Sequence, residues 1–254
     1  MKIAVVGGTG LTGREVVRAV EAQGHQPVVI ARSLGVDIIT GDGLDAALRG
    51  VSAIIDVSNA PAEDAEAARQ FFGTATGTLL AAATRAGVGH HVVLSIVGID
   101  RVAGNPHYAG KLRQEEVALA GPVPATVVRA TQFHDFAAMV VGWSASDGVA
   151  PIAPLLVQPI AVADVADALV AVALDTPVGG IVEVAGPKPE DLVDMARRTL
   201  GVRGQTVELA PSWQGRFTVE MAGEVLLPGP DARIAPTTFE QWLANDPANQ
   251  PGAA

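Results

Sequence analysis

The chain of 254 residues contains no cysteine. That excludes a disulfide framework, a thiolate metal site and thiol nucleophilic catalysis, and it leaves the redox compartment undecided. Lysine is nearly as scarce, with Lys2, Lys111 and Lys188 standing against 14 arginines. Charged residues make up only 17%, and 17 basic against 27 acidic side chains give a net charge of −10. Such a balance repels phosphate backbones and anionic lipid, so nucleic acid is not expected as a partner. Long apolar runs are missing too. Ile3 to Val6 stops at Gly7 and Gly8, too short for the core of a signal peptide. Pro151 to Leu174 is interrupted by Pro154, Gln158, Pro159, Asp164 and Asp167, short of the ~20 apolar residues that a membrane span needs. The sequence reads as cytoplasmic, with no membrane partner.

What is present argues for a folded α/β protein. Hydrophobic residues reach 49%, which excludes disorder for the chain as a whole. Short β-branched runs alternate with Ala-rich segments of helical period, the pattern of βαβ units around a parallel sheet. Strands are expected at 2–6, 27–31, 36–39, 53–57, 91–96 and 125–129, with helices near 12–22, 65–86, 106–120 and 133–141. Asn105 is a candidate cap with Pro106 in the first helical turn, and Gly121 with Pro122 would end that helix. Beyond residue 142 the rhythm loosens. A strand near 155–160, helices at 165–174 and 189–200, a strand near 181–184 and a helix at 238–244 are expected, and a fraying tail from Asn245. The organisation expected is a Rossmann-type doubly wound core over 1–150 and a smaller cap region over 151–254 that returns elements to it, all within one structural domain. Acidic side chains gather late: residues 1–130 carry 11 basic and 12 acidic groups, residues 131–254 carry 6 and 15. An anionic ligand is therefore favoured by the N-terminal half.

The first expected strand runs into Gly7-Gly8-Thr9-Gly10-Leu11-Thr12-Gly13-Arg14, and a helix follows at once. Gly7 permits a tight turn, Gly10 lets the backbone approach a diphosphate, and Gly13 lets helix and strand pack closely, while free amides of the helix start point at the anion. About 20 residues further on, an NAD enzyme places an acid on the ribose 2′-hydroxyl. This chain has Arg32 and Ser33 there, which suit a 2′-phosphate with Arg14 adding to the clamp. NADP(H) is the cofactor expected, the alternative for Arg32 being a solvated surface residue.

With the glycine turn and Val93-Leu-Ser-Ile-Val-Gly-Ile-Asp100 in view, residues 1 to about 175 resemble the atypical short-chain dehydrogenase/reductases of the NmrA-like, NAD(P)H-binding group. Further matches are Gly41-Asp42, Asp56-Val-Ser-Asn-Ala60, Arg129-Ala-Thr-Gln-Phe133 and Ile160-Ala-Val-Ala-Asp-Val-Ala-Asp167. The resemblance implies that Asp42 faces the adenine, that Ser58, Asn59 and Ala60 lie beside the adenosine ribose and diphosphate, and that Thr131, Gln132 and Phe133 pass near the nicotinamide. Asp42 can equally be a turn residue, and Phe133 core packing.

Orthodox members of that superfamily use Ser, Tyr and Lys, the Tyr four residues before the Lys. Lys111 is in place, but His107 stands four residues before it and Tyr108 three. On a helix these two differ by ~100° around the axis. His107, near an ammonium, would be a poor proton donor at neutral pH. Ser95 ends its strand, whereas the catalytic hydroxyl of the pattern often falls one or two places later, at Ile96 or Val97 here. The candidate catalytic set is thus Lys111, His107, Tyr108 and Ser95, incomplete as a proton relay. His134 and Gln132 are candidates for a substrate site; His90 and His91 read as the start of a strand. No metal-ligand spacing is present. The sequence points to an NADPH-dependent reductase of a small quinone, carbonyl or enone, with a quiet NADP(H)-binding sensor or a non-redox isomerase or lyase as alternatives, and homodimerisation left open.

Overall fold

The structure is a computed structural model that describes residues 1–59, 64–214 and 217–245. In chain order its elements are β1 (Lys2–Val6), α1 (Leu11–Ala22), β2 (Gln26–Ile30), α2 (Leu44–Ala47), β3 (Ala53–Asp56), α3 (Ala65–Ala86), β4 (His90–Ile96), α4 (Pro106–Leu119), β5 (Ala125–Ala130), α5 (Phe136–Ser144), β6 (Val149–Ile152), β7 (Leu156–Val157), α6 (Val162–Leu174), β8 (Ile181–Ala185), β9 (Glu190–Asp191), α7 (Leu192–Val202), β10 (Glu208–Pro211), β11 (Arg233–Ile234) and α8 (Phe239–Asn245). A seven-stranded sheet has the order β11-β8-β5-β4-β3-β1-β2. This is the Rossmann-type α/β fold that the alternating pattern implied. Among the described residues, no helix is long and apolar enough to cross a membrane.

The chain divides into two compact units, residues 1–130 with 165–182, and 131–164 with 183–254. In the first unit β1 pairs in parallel with β2 on one side and β3 on the other, and β3, β4 and β5 continue in parallel. The chain therefore leaves β1 toward one edge and returns across it toward the other, which makes the gap between β1 and β3 the topological switch point where α/β sheets hold ligands. Ile3, Val5, Ile54, Ile55 and Val92 are buried to the last atom, as expected of strands covered on both faces. Helix α1 buries Gly13, Val16, Ala19 and Val20 along one stripe.

One expected strand is absent. Residues 36–39 form a turn in which Asp37 Oδ1 accepts from the Ile39 amide at 2.7 Å, while Gly35 and Gly41 flank it at φ +78° and +87°. The β-branched run suggested extension, but the side-chain carboxylate captured the backbone first. In the second unit β6 pairs in parallel with β10, and β7 antiparallel with β9. Two helices there begin three residues later than expected. Helix α5 starts at Phe136, and α7 starts at Leu192 because Glu190 and Asp191 pair with β7, after which Asp191 caps the helix through the Asp194 amide at 2.9 Å. The expected strand 155–160 shortens to Leu156–Val157 plus an isolated bridge between Phe133 and Ile160. The tail beyond Asn245 lies outside the described residues.

Candidate functional site

The glycine turn occupies the switch point. Gly7 takes φ +78° and donates its amide to Ile30 O at 3.0 Å. A β-carbon on Gly7 would stand 3.0 Å from Val57 O, and one on Gly13 only 2.1 Å from Gly7 O. Helix α1 can thus close on the turn only while both are glycine. The helix begins with Gly10 as N-cap and no side-chain cap, so its first amides have no intrahelical acceptor and the positive end of the helix dipole lies among them. Thr9, Gly10, Leu11 and Arg14 are exposed and Thr12 half-buried. The turn therefore offers donors, a rigid backbone and a water-facing edge, which fits a diphosphate.

Neighbouring strand ends add to this edge. Past β2, Arg32 and Ser33 are exposed in a short 3-10 turn, Arg32–Leu34. Past β3, Ser58 is buried and Asn59 exposed. Ala60 lies outside the described residues. Asp42 sits between Gly41 and Gly43, and its carboxylate accepts from Thr40 Oγ1 at 2.8 Å. It thus has a local turn role, and the carboxylate stays exposed.

Lys111 is where structure adds most. Asn105 caps α4 by accepting from the Tyr108 amide at 3.2 Å, with Pro106 in the first turn. Lys111 is only 5% exposed. Its Nζ donates to Gln114 Oε1 and lies 5.2 Å above the Phe72 ring of α3. Gln114 Nε2 donates in turn to Asp56 Oδ2 at 2.9 Å and reaches Ser58 Oγ at 3.4 Å. Asp56 Oδ1 accepts from the Ser58 amide at 2.9 Å, and its other oxygen lies 3.7 Å from His91 Nε2. Burial lowers the Lys111 pKa to about 8, against the opposing charges of Asp56 and Glu115. Burial also works to raise the Asp56 pKa, but contact with His91, the charge of Lys111 and hydrogen bonding from Ser58 outweigh it and hold the carboxyl below its ordinary value.

His107 shares the Phe72 ring with Lys111, its own ring 6.2 Å away and edge-on. Burial, with the Lys111 charge beside it, lowers its pKa to about 4, so it is neutral at pH 7. Tyr108 is buried on the same helix. Ser95 is buried on β4 opposite Arg129, and its Oγ has no hydrogen-bond partner among the described residues. Next to this row, Arg129 forms a two-pronged pair with Glu115 (3.0 and 2.8 Å) and a third bond to Asp100 at 2.9 Å.

In the second unit, Thr131 donates its hydroxyl to Gln158 O at 2.6 Å, and Phe133 bridges to Ile160. Gln132 is 8% exposed, and neither polar atom of its amide has a partner among the described residues. Buried amides are rarely left so, which marks it as a group able to receive a ligand. His134 is committed elsewhere: it bonds Thr237 O at 3.2 Å and packs on Phe239 and Trp242 of α8.

Sequence reasoning gave no role to Asp56, His91, Gln114, Glu115 or Arg129. One signal was available for part of the set: Lys111, Gln114 and Glu115 follow i, i+3, i+4 spacing and so share a helix face. Asp56, at the end of the apolar strand Ala53–Asp56, is an acid in a position where burial demands a partner.

No protein-family model matches the chain. It is 36% identical over 111 residues to the photosystem II assembly factor Ycf39 of Synechocystis sp., which is 38% of this chain and 34% of that protein. It is 31% identical over 144 residues to the (4-alkanoyl-5-oxo-2,5-dihydrofuran-3-yl)methyl phosphate reductase of Streptomyces griseus, which is 52% of this chain and 48% of that one. The match thus spans less than half the length of either relative. Among solved structures, a short-chain dehydrogenase/reductase superfamily protein of Agrobacterium tumefaciens with bound NAD aligns over 98% of this chain and 96% of its own, with TM-score 0.70 and 18% identity. Triphenylmethane reductase of Citrobacter sp., complexed with NADP(H), aligns over 84% and 79% with TM-score 0.64 and 19% identity.

Proposed function

From a chain that fits the atypical, NmrA-like group of short-chain dehydrogenase/reductases, we propose an NADPH-dependent reductase of a small quinone, carbonyl or enone. The observation that carries the reading is the switch-point edge of the first unit. There the Gly7 to Gly13 turn presents uncapped helix amides, and Arg32 and Ser33 stand exposed at the end of the next strand. A guanidinium and a hydroxyl complement a 2′-phosphate, and no acid replaces them at that position. When bound, NADPH supplies the hydride.

The chain's own part is to bind, orient and exclude water. The glycine turn holds the diphosphate, Arg32 and Ser33 select the phosphorylated ribose, and Arg14 adds positive charge. Ser58 and Asn59 border the same edge. By resemblance Thr131, Gln132 and Phe133 serve the nicotinamide end, where the unpaired Gln132 amide has the donor and acceptor that a carboxamide requires. Neutral His107 donates no proton at pH 7. An acceptor that takes its proton from water suits such a site.

A second reading, a quiet NADP(H)-binding sensor, is favoured by one contact: the Lys111 ammonium is spent on Gln114. The two readings separate in one experiment. Calorimetry with NADPH and NADH tests the cofactor, and Arg32→Ala should bring the two affinities within a few-fold of each other. Loss of NADPH absorbance with quinones, aldehydes and enones then identifies an enzyme, whereas tight NADPH binding with no turnover across the panel identifies the sensor. No heat from either nucleotide at millimolar concentration refutes both.

A further inference from the structure

The segment that follows β5 holds two buried side chains whose polar atoms are not all used. Ile160 fixes its backbone: the Ile160 amide donates to Gln132 O at 2.9 Å, the His134 amide donates to Ile160 O at 3.0 Å, and Phe133 bridges to Ile160 between them. Gln132 and His134 are thus residues i and i+2 of an extended stretch, and their side chains leave it on the same side. Gln132 is 8% exposed and His134 1%. Oε1 and Nε2 of Gln132 have no hydrogen-bond partner among the described residues, nor has Nδ1 of His134. Buried polar atoms are nearly always paired, so three unpaired atoms in one short segment call for a partner from outside the chain.

The character of each atom follows from its surroundings. His134 Nε2 lies 3.2 Å from Thr237 O, and a carbonyl oxygen only accepts, so Nε2 carries the ring proton. That carbonyl is anchored in turn, because the Thr237 amide and hydroxyl donate to Asp164 Oδ2 and Oδ1, each at 3.1 Å. Phe239 and Trp242 hold the imidazole from either residue of α8, each ring centroid 5.6 Å away. Burial lowers the His134 pKa, against the bond to Thr237 and the charges of Asp164 and Glu240. The ring is therefore neutral at pH 7, and Nδ1 is an acceptor. Gln132 adds an acceptor at Oε1 and a donor at Nε2. A carboxylate brings only acceptors to such a set, a ketone one acceptor, and an alcohol a single hydrogen. A primary carboxamide brings two N–H hydrogens and one carbonyl oxygen, which pairs all three atoms.

We propose that Gln132 and His134 together form a clamp for a primary carboxamide: the ligand's carbonyl accepts from Gln132 Nε2, and its two hydrogens go to Gln132 Oε1 and His134 Nδ1. For its ligand the clamp rests on the cofactor reading, since the nicotinamide ring carries such a group. It deepens that reading by making His134 part of the recognition, so that an intact carboxamide is told from any other substituent on the pyridine ring.

The test titrates the full chain in a calorimeter with dinucleotides that differ only at the pyridine substituent. These are NADP+, its 3-acetylpyridine analogue, in which a methyl group replaces the NH2, and its nicotinic acid analogue, which carries a carboxylate. NADP+ should bind roughly tenfold more tightly than the acetyl analogue, which leaves Gln132 Oε1 and His134 Nδ1 unpaired. The carboxylate analogue should bind weakest, because its oxygens face those two acceptors. His134→Phe keeps a ring against Phe239 and Trp242; it should weaken NADP+ about fivefold and leave the acetyl analogue within about twofold. Gln132→Met should weaken both and reduce the preference for NADP+ to about threefold or less. Equal affinity of the wild-type chain for the three dinucleotides, or a preference that survives both substitutions, overturns the clamp and leaves the cofactor reading standing. No binding by any of the three refutes both.

Discussion

The ammonium of Lys111 and the carboxylate of Asp56 do not touch; the side-chain amide of Gln114 stands between them, its oxygen toward the lysine and its nitrogen toward the aspartate. Both ions are buried, and an amide so oriented lets each see a complementary dipole rather than bare apolar surface. The arrangement fixes the Gln114 rotamer and holds Lys111 inward.

With three lysines in the chain, the titration of Lys111 can be followed directly by NMR of labelled lysine side chains. Its midpoint should fall at about 8. Asp56→Asn removes the charge that supports the ammonium and should move the midpoint lower still. An unfolded lysine keeps its proton to about pH 10.4. Between about 8 and that value the unfolded chain therefore binds more protons, and the stability contributed by this group rises with pH. Below pH 8 the penalty of burying the ammonium is fully present. A midpoint above 10 would contradict the burial described here.

Arg129 and Glu115 are 8% and 6% exposed at their side chains, and burial of the guanidinium is outweighed by its bonds to Glu115 and Asp100, which raise the arginine pKa. Arg129→Met strands the Glu115 carboxylate in the interior and should cost about 3–5 kcal/mol in urea unfolding. Arg129→Lys should recover only part of this, because a single ammonium cannot reproduce the two-pronged contact.

Two glycines in helices should respond in opposite directions. Gly13→Ala brings a β-carbon to 2.1 Å from Gly7 O, so the turn must shift, and NADPH heat in calorimetry should vanish or fall by an order of magnitude. Gly77→Ala, inside α3 with nothing within 4 Å of the new carbon, should stabilise the protein by about 0.5–1 kcal/mol through helix propensity.

His107, with its pKa lowered to about 4, makes stability sensitive to acid. As pH falls from about 6.5 the unfolded histidine takes up a proton that the folded one refuses, so stability declines through this window by on the order of 1–3 kcal/mol and levels off below about 4. His107→Gln should flatten that segment of the stability-versus-pH curve. An unchanged slope would show that the imidazole is not held neutral.

Much of the fold was legible because its signals are local. A strand, a glycine turn and a helix within about 20 residues define one another, and Asn105 with Pro106 announced the start of α4. The failures were also local in origin. At 36–39 the β-branched run Val36, Ile38 and Ile39 argued for a strand, and the competing Asp37 side chain decided for a turn. At 189 the helix was expected three residues early, whereas pairing with β7 claims Glu190 and Asp191.

The sequence by itself determined the glycine turn, the basic residue that follows β2 and the neutral or acidic character of the rest, since each depends on neighbours along the chain. Only the tertiary structure decided what Lys111 does. Its position on a helix was readable, but its fate rests on Gln114 meeting Asp56, a partner 58 residues away, and on Phe72 from a third element. No periodicity encodes such a meeting; it arises because a buried charge must find compensation wherever packing happens to bring a polar group within reach.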